Sequence, residues 1–260
     1  MTPEHEVFAV RYGTRTMLRS EAFHRYSVYD EPDAPLTIDY FFWVLRSGTG
    51  VTLLDCGFAP DAGARRGRTL LVDPLDALAD LGIAAGAVNE VIVSHCHYDH
   101  IGNLDRFPEA TIVVERAELD FWTGPLASRA QFAEPSEPAE IAYLARAAAE
   151  GRVRLLDGGG TVAPGIELLA VGGHCPGQLV ALVGPPGRRL VLASDALHFY
   201  EEMERDRPFA IFSDLPATYL AYETLRRLEA DGGRIVAGHD PDVAARFGAA
   251  PAGRHAIPLN

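Results

Sequence analysis

Apolar positions along this chain come in short runs. Phe41–Leu45, Val51–Leu54, Val91–Val93, Thr111–Val114, Ile166–Val171, Leu179–Val183, Leu190–Ala193 and Ile235–Ala237 are rich in β-branched and bulky residues. Most have four to six residues and are bounded by Gly, Pro, Asp or Ser, which is how strands read. Their near-continuous apolar character predicts burial on both faces. Between them the spacing turns helical. Leu71, Leu75, Leu78 and Leu81 are separated by four, three and three positions and make one stripe. Ile141, Leu144 and Ala148 repeat the pattern in an Ala-rich segment of high helix propensity. Ala221, Leu225 and Leu228 share a face between Pro216 and Ala230, with Pro216 suited to the first turn and Asp231-Gly232-Gly233 to the stop.

Strands and helices therefore alternate along the whole length. No linker and no short-period repeat interrupts them, so residues 1–260 read as one α/β domain. Residues 120–140 form a long connection, a kind of segment that is often functional. Phe121 and Trp122 at its start either cover a pocket or pack into the core.

Composition narrows the picture. With 260 residues, 48% of them hydrophobic, the chain can bury a substantial core. Its 23 basic and 36 acidic residues give a net charge of −13, which argues against a nucleic-acid partner. No uncharged apolar run reaches the ~18 residues of a membrane span. The opening "MTPEHEVFAVRYG" lacks a basic stretch followed by an apolar one, so the chain is expected to be unexported and cytoplasmic. Cys56, Cys96 and Cys175 do not suggest a disulfide framework; packing is the expected role of each. Nothing in the sequence sets an oligomeric state.

The chemistry concentrates in "SHCHYDH", residues 94–100. His95, His97, Asp99 and His100 crowd the end of an apolar run. Alternate side chains of an extended segment share a face, so His95 and His97 can point the same way. A turn just after them would aim Asp99 and His100 nearby. Neutral imidazole suits borderline metals such as zinc, and four ligand-type side chains from one loop can serve two adjacent ions. Further ligands are sought where apolar runs end. His174 follows "ELLAVGG", Asp195 follows "LVLAS" and His239 follows "RIVAG". A carboxylate such as Asp195 can bridge two cations. His5, His24 and His255 lie in contexts that do not suggest ligands.

His-x-His-x-Asp-His, followed by single His, Asp and His at strand ends, resembles the metallo-β-lactamase superfamily over nearly the whole chain. "VTLLDCGF" resembles the family's early strand ending in Asp-x-Gly, here Asp55 and Gly57, and "GGHCPG" resembles its Gly-His-Thr-Pro-Gly loop. "HYDHIGNLDRFPEA", "LASDALHFYEEMERDRPF" and "VAGHDP" resemble the narrower branch of N-acyl homoserine lactonase-like hydrolases. The resemblance implies a four-layer αβ/βα sandwich, two mixed β-sheets face to face with helices outside. It implies two Zn2+ ions, one held by His95, His97 and His174, the other by Asp99, His100 and His239. Asp195 and a hydroxide would bridge them, with Asp55 supporting the loop from behind. The implied substrate is a small-molecule lactone or ester, first an N-acyl homoserine lactone. A glyoxalase II-like thioesterase shares all seven ligands and is the alternative.

Two positions depart from the family pattern. His198 stands where homoserine lactonases carry a Tyr, three residues after the bridging Asp. Imidazole can donate a hydrogen bond or carry a proton, so Asp99 and His198 are the catalytic candidates; a pocket-wall role is the other reading of His198. Gln178 replaces a second His of the Gly-His loop and is not a ligand position. Phe41, Trp43, Phe121, Trp122, Phe199, Met203 and Phe209 line an acyl channel or, for most of them, the ordinary core.

Overall fold

A computed structural model describes residues 5–248 and 254–260. Its strands in chain order are β1 (Glu6–Leu18), β2 (Pro35–Ser47), β3 (Gly50–Leu54), β4 (Thr69–Leu70), β5 (Val88–Ile92), β6 (Thr111–Glu115) and β7 (Val153–Leu156). Then follow β8 (Gly159–Ala163), β9 (Ile166–Ala170), β10 (Leu179–Val183), β11 (Leu190–Ser194), β12 (Arg234–Ala237) and β13 (Ala256–Pro258). The first sheet runs β13-β1-β2-β3-β5-β6-β7, with β4 also paired to β1. The second runs β12-β11-β10-β9-β8. Both are mixed: β3, β5, β6 and β7 pair in parallel, as do β11 and β12, and the remaining pairs are antiparallel.

The layering follows from strand alternation. Successive side chains of a strand point to opposite faces. On β2, Phe41, Trp43 and Leu45 enter the core shared with Leu168, Leu179 and Leu192 of the second sheet. Tyr40, Phe42 and Val44 turn the other way, to a core completed by Leu78 and Leu144 of outer helices. Tyr222 and Leu225 of the helix Leu215–Ala230 join the second sheet's core. The result is the expected sandwich of helices, sheet, sheet and helices. β10 and β11 are buried at every position, which explains their unbroken apolar runs. Burying side chains of this size stabilises the fold by roughly 1.5–3 kcal/mol each.

Every predicted strand run falls on an observed strand, two of them running one residue past its end at Val93 and Val171, and the helices Pro138–Ala149 and Leu215–Ala230 match their stripes. One stripe is corrected at its start. Leu71 lies outside the helix Pro74–Asp80 and is 37% exposed. Asp73 caps that helix by accepting from the Leu75 amide at 2.8 Å, and Pro74 opens the first turn, so the local capping chemistry overrides the leucine spacing. The 120–140 segment is also less irregular than expected: it holds the end of the helix Arg116–Trp122, a short helix Ala130–Ala133 and the start of Pro138–Ala149.

The fold brings strand ends from both sheets to one place. β5 runs into Ser94–His100, β9 leads to His174, and β11 and β12 end beside Asp195 and His239. The Leu179 amide donates to Ser94 O at 2.9 Å, joining a loop of one sheet to a strand of the other.

Candidate metal centre

All seven predicted ligands converge, and His198 converges with them. Four overlapping groups hold ligand atoms within 4.8 Å of one another: His95, His97, His174 and Cys175; His95, His100 and Asp195; Asp99, His100 and His239; His174, Asp195 and His198. His97 Nδ1 lies 3.0 Å from His95 Nε2 and 2.9 Å from His174 Nε2. Asp195 divides its carboxylate. Its Oδ2 faces His95, His174 and His198 at 3.7, 3.4 and 3.1 Å. Its Oδ1 faces His100 and His239 at 3.3 and 3.0 Å. Asp99 Oδ2 completes that second trio, 3.7 Å from His100 and 3.9 Å from His239.

Each imidazole is held by its outer nitrogen. His100 Nδ1 donates to Asp55 Oδ2 at 2.8 Å, His174 Nδ1 to Ile211 O at 2.8 Å and His239 Nδ1 to Asp39 O at 2.7 Å. His95 Nδ1 pairs with Ser94 Oγ at 3.0 Å, and His97 Nε2 with Cys175 Sγ at 3.3 Å. Such contacts fix ring orientation and tautomer, leaving the inner nitrogens' lone pairs free. Asp55 is the hub behind the loop: it accepts from the Ser94 amide and hydroxyl at 2.8 Å each and from Ser194 Oγ at 3.2 Å. It takes a left-handed φ of 63°, and Ser194, just before Asp195, takes 45°. Two non-glycine residues in this region at one site mark a backbone held by its surroundings. Gly238 permits the crowding, since a Cβ there would lie 2.5 Å from Ser194 O.

The donor set fits metal ions. Five imidazoles and two carboxylates suit a zinc-like cation. Tetrahedral bonds of 2.0–2.1 Å separate ligand atoms by about 3.3 Å, and the inner nitrogens lie near that spacing. His100 Nε2 and Asp195 Oδ1, both buried, lack a hydrogen-bond partner among the described residues. Burial, then the nearby histidines, pushes His95 and His97 well below the usual imidazole range, and burial holds His174 to about 3. All three are therefore neutral and able to donate a lone pair. Burial works against charge on Asp195 too, but His100, His239 and His198 outweigh it and hold the carboxyl well below its usual range.

His198 stacks on Phe209 with centroids 3.8 Å apart, and its Nδ1 lies 3.4 Å from Glu202 Oε1. Burial lowers its proton affinity, yet Asp195 and then Glu202 outweigh that and raise it to about 9. Tyr200 does not substitute for it, because the Tyr200 hydroxyl donates to Ile235 O at 3.2 Å. Gln178 is buried outside the cluster, donating to Leu179 O. Among the described residues His5, His24 and His255 join no ligand group. Of the acyl-channel candidates, Phe209 lines the cavity over the site; Phe41, Trp43, Phe199 and Met203 belong to the core. Trp122 is buried beside His97 with ring centroids 5.7 Å apart, and Phe121 packs edge-on against Trp122.

Several participants lay outside the sequence reading. Ser94 and Ser194 directly precede ligands, which was a visible signal. Glu118 was not signalled: fully buried, it accepts from the Cys96 amide, the Gly177 amide and Trp122 Nε1 at 2.8, 2.8 and 2.6 Å. Arg15, Arg66 and Arg68 reach the cavity, of about 200 Å³, only through tertiary contacts.

The sequence model of the metallo-beta-lactamase superfamily matches residues 40–239. The chain belongs to that superfamily. The N-acyl homoserine lactonase AttM of Agrobacterium fabrum (strain C58) is 29% identical over 185 residues, covering 68% of this chain and 67% of that protein. An N-acyl homoserine lactonase of Bacillus cereus is 30% identical over 141 residues, 54% of this chain and 49% of that protein. The crystal structure of a quorum-quenching N-acyl homoserine lactone lactonase superposes with a TM-score of 0.76 at 20% identity, over 93% of this chain and 94% of that one. This likeness establishes the metallo-beta-lactamase fold. The His/Asp cluster is a dinuclear metal-binding site of the kind that metal-dependent hydrolases of this superfamily use. No helix among the described residues is long and apolar enough to cross a membrane.

Proposed function

We propose that the protein opens a lactone ring by hydrolysis, in the first place that of an N-acyl homoserine lactone, with two zinc ions as cofactors. The observation that carries this reading is the divided carboxylate of Asp195, one oxygen toward each trio of ligand side chains. In this assignment His95, His97 and His174 would hold one ion and Asp99, His100 and His239 the other, with Asp195 as a ligand shared between them. Bound zinc would supply an activated water and polarise the ester carbonyl. The chain's own groups do the rest. Asp55, Ser94, Cys175 and the Asp39 and Ile211 carbonyls hold the imidazoles so that little reorganisation accompanies binding. His198, between Asp195 and Glu202, keeps a proton at Nε2 for the substrate carbonyl oxygen. Asp99 lines the cavity and is the candidate to carry a proton to the leaving alkoxide. We extend this assignment over residues 1–260 as one hydrolase domain. Pairing of β13 with β1 supports it, while residues 1–4 and 249–253 lie outside the described residues.

The test is acid release from a panel of N-acyl homoserine lactones by zinc-loaded protein, with a chelated control and with aryl esters and thioesters alongside. Chelator-sensitive turnover selective for lactones is the expected result. Selective thioester turnover would replace the reading with a glyoxalase II-like thioesterase. Activity that survives removal of the metal would overturn both.

A further inference from the structure

The cavity over the metal site is polar, and beside the carboxylates of Glu21, Asp99, Glu134 and Asp195 it holds three guanidinium groups. Three arginines line it, Arg15, Arg66 and Arg68. Two are met by carboxylates: Arg15 by Glu21 at 3.2 Å, and Arg66 by Glu134 at 3.4 Å and Glu137 at 3.1 Å. Arg68 is not. Its Nε donates to the Tyr98 hydroxyl at 2.8 Å and its Nη1 to Arg66 O at 2.6 Å. Nη2 makes no hydrogen bond among the described residues, and no carboxylate there pairs with the guanidinium. Acidic groups are not scarce, since the chain has 36 against 23 arginines and no lysine. Arg106 pairs with Asp73 and Arg207 with Glu201, whereas Arg152, like Arg68, is held by a tyrosine hydroxyl and backbone carbonyls, but all its contacts lie away from the metal site. Asp99, in the same cavity, is the nearest compensating charge and does not reach salt-bridge distance, so the free edge of the planar fork stays open to a carboxylate.

The geometry points to an anion subsite in this cavity, centred on Arg68, and to a lactone whose acyl group ends in a carboxylate. The inference rests on the lactonase reading and adds the substrate class. The open Nη2 edge of one guanidinium takes one carboxylate. The Tyr98 hydroxyl fixes the plane of the fork, and Tyr98 directly precedes Asp99, so the subsite adjoins the metal loop.

The experiment compares N-succinyl, N-glutaryl and N-adipoyl homoserine lactones with neutral acyl homoserine lactones of matched length, on zinc-loaded protein. The carboxylated series should be preferred roughly 10–100-fold in kcat/KM, mainly through KM, the size of one charge-assisted hydrogen-bonded pair. In Arg68→Gln the ratio should fall toward one, while Arg68→Lys should keep part of it. Thermal unfolding of both variants separates a folding defect from loss of the subsite. Equal kcat/KM for the two series, or an unchanged ratio in Arg68→Gln, overturns the inference. If neither series turns over, the lactonase reading fails, and calorimetry of glutarate against butyrate then decides the subsite. Glutarate binding about tenfold weaker in Arg68→Gln upholds it; equal binding overturns it.

Discussion

Asp195 is the residue on which the two halves of the site depend. Among the described residues it is the one carboxylate that meets both trios, and it is buried with five imidazoles facing its charge. Asp195→Ala is expected to lose both bound metal and hydrolytic activity, read by metal analysis and lactone turnover; a fully active variant would remove the bridging assignment. His198 calls for a different substitution. Its ring stacks on Phe209, so His198→Phe keeps the packing and deletes both nitrogens. Metal content should hold while kcat falls about 100-fold or more, the usual loss when a proton-carrying group is removed. Unchanged kcat would leave His198 as a wall of the pocket. At this scale the sequence is informative because the residues that converge are local. Four of them sit in six residues, and the other three each end an apolar run. Arg68 and Glu118 were not legible, since only the packed fold carries them to the site.

Among the elements, the helix Arg116–Trp122 does more than cover the first sheet. Glu118 on it accepts one amide hydrogen bond from Cys96, inside the metal loop, and one from Gly177, inside the Gly-His loop. Gly177 lets that approach happen, because a Cβ there would stand 2.4 Å from Glu118 Cβ. The side chain therefore clamps the loops of His95–His97 and His174 to each other. Glu118→Gln replaces one acceptor oxygen by a donor amide facing N–H groups. Loss of one or two buried hydrogen bonds should cost ~2–4 kcal/mol and loosen metal binding roughly 10–100-fold, measured by chemical denaturation and competition with a chelating dye. Unaltered metal affinity would reduce Glu118 to a purely structural residue. The same scale explains which strands the sequence left out. β10 and β11 declare themselves because both faces are buried. β1, β4, β7, β8 and β13 do not: β1 carries Arg11 and Arg15, β4 has two residues, β8 opens on two glycines, β13 has three residues with a proline, and β7 is half-buried throughout. Pairing to a distant partner stabilises them, and a local pattern does not encode that.

For the whole molecule, the charge balance leaves some carboxylates in poor company. A second cavity, of about 310 Å³, is lined by Asp61, Arg65, Asp105, Glu137, Glu140 and Arg146 among others. Glu140 Oε2 is buried there without a partner. Burial, then the charges of Glu137, Asp99 and Asp61, lifts its carboxyl from an ordinary 4.5 to about 8, against a smaller pull from Arg66. The sign follows from proton linkage. Between those values the folded chain holds a proton that the unfolded chain has released, so stability falls as pH rises across the window. Glu140→Gln is neutral at every pH and escapes that loss. Its stability relative to the unmodified chain should therefore grow from pH 5 to pH 9, by roughly 1–3 kcal/mol once water in the adjoining cavity is allowed for. Denaturant unfolding of both proteins at matched pH, with the same zinc loading, measures the difference while changes in metal affinity cancel. A difference that stays flat across the window would mean that Glu140 ionises in the fold as freely as in the unfolded chain.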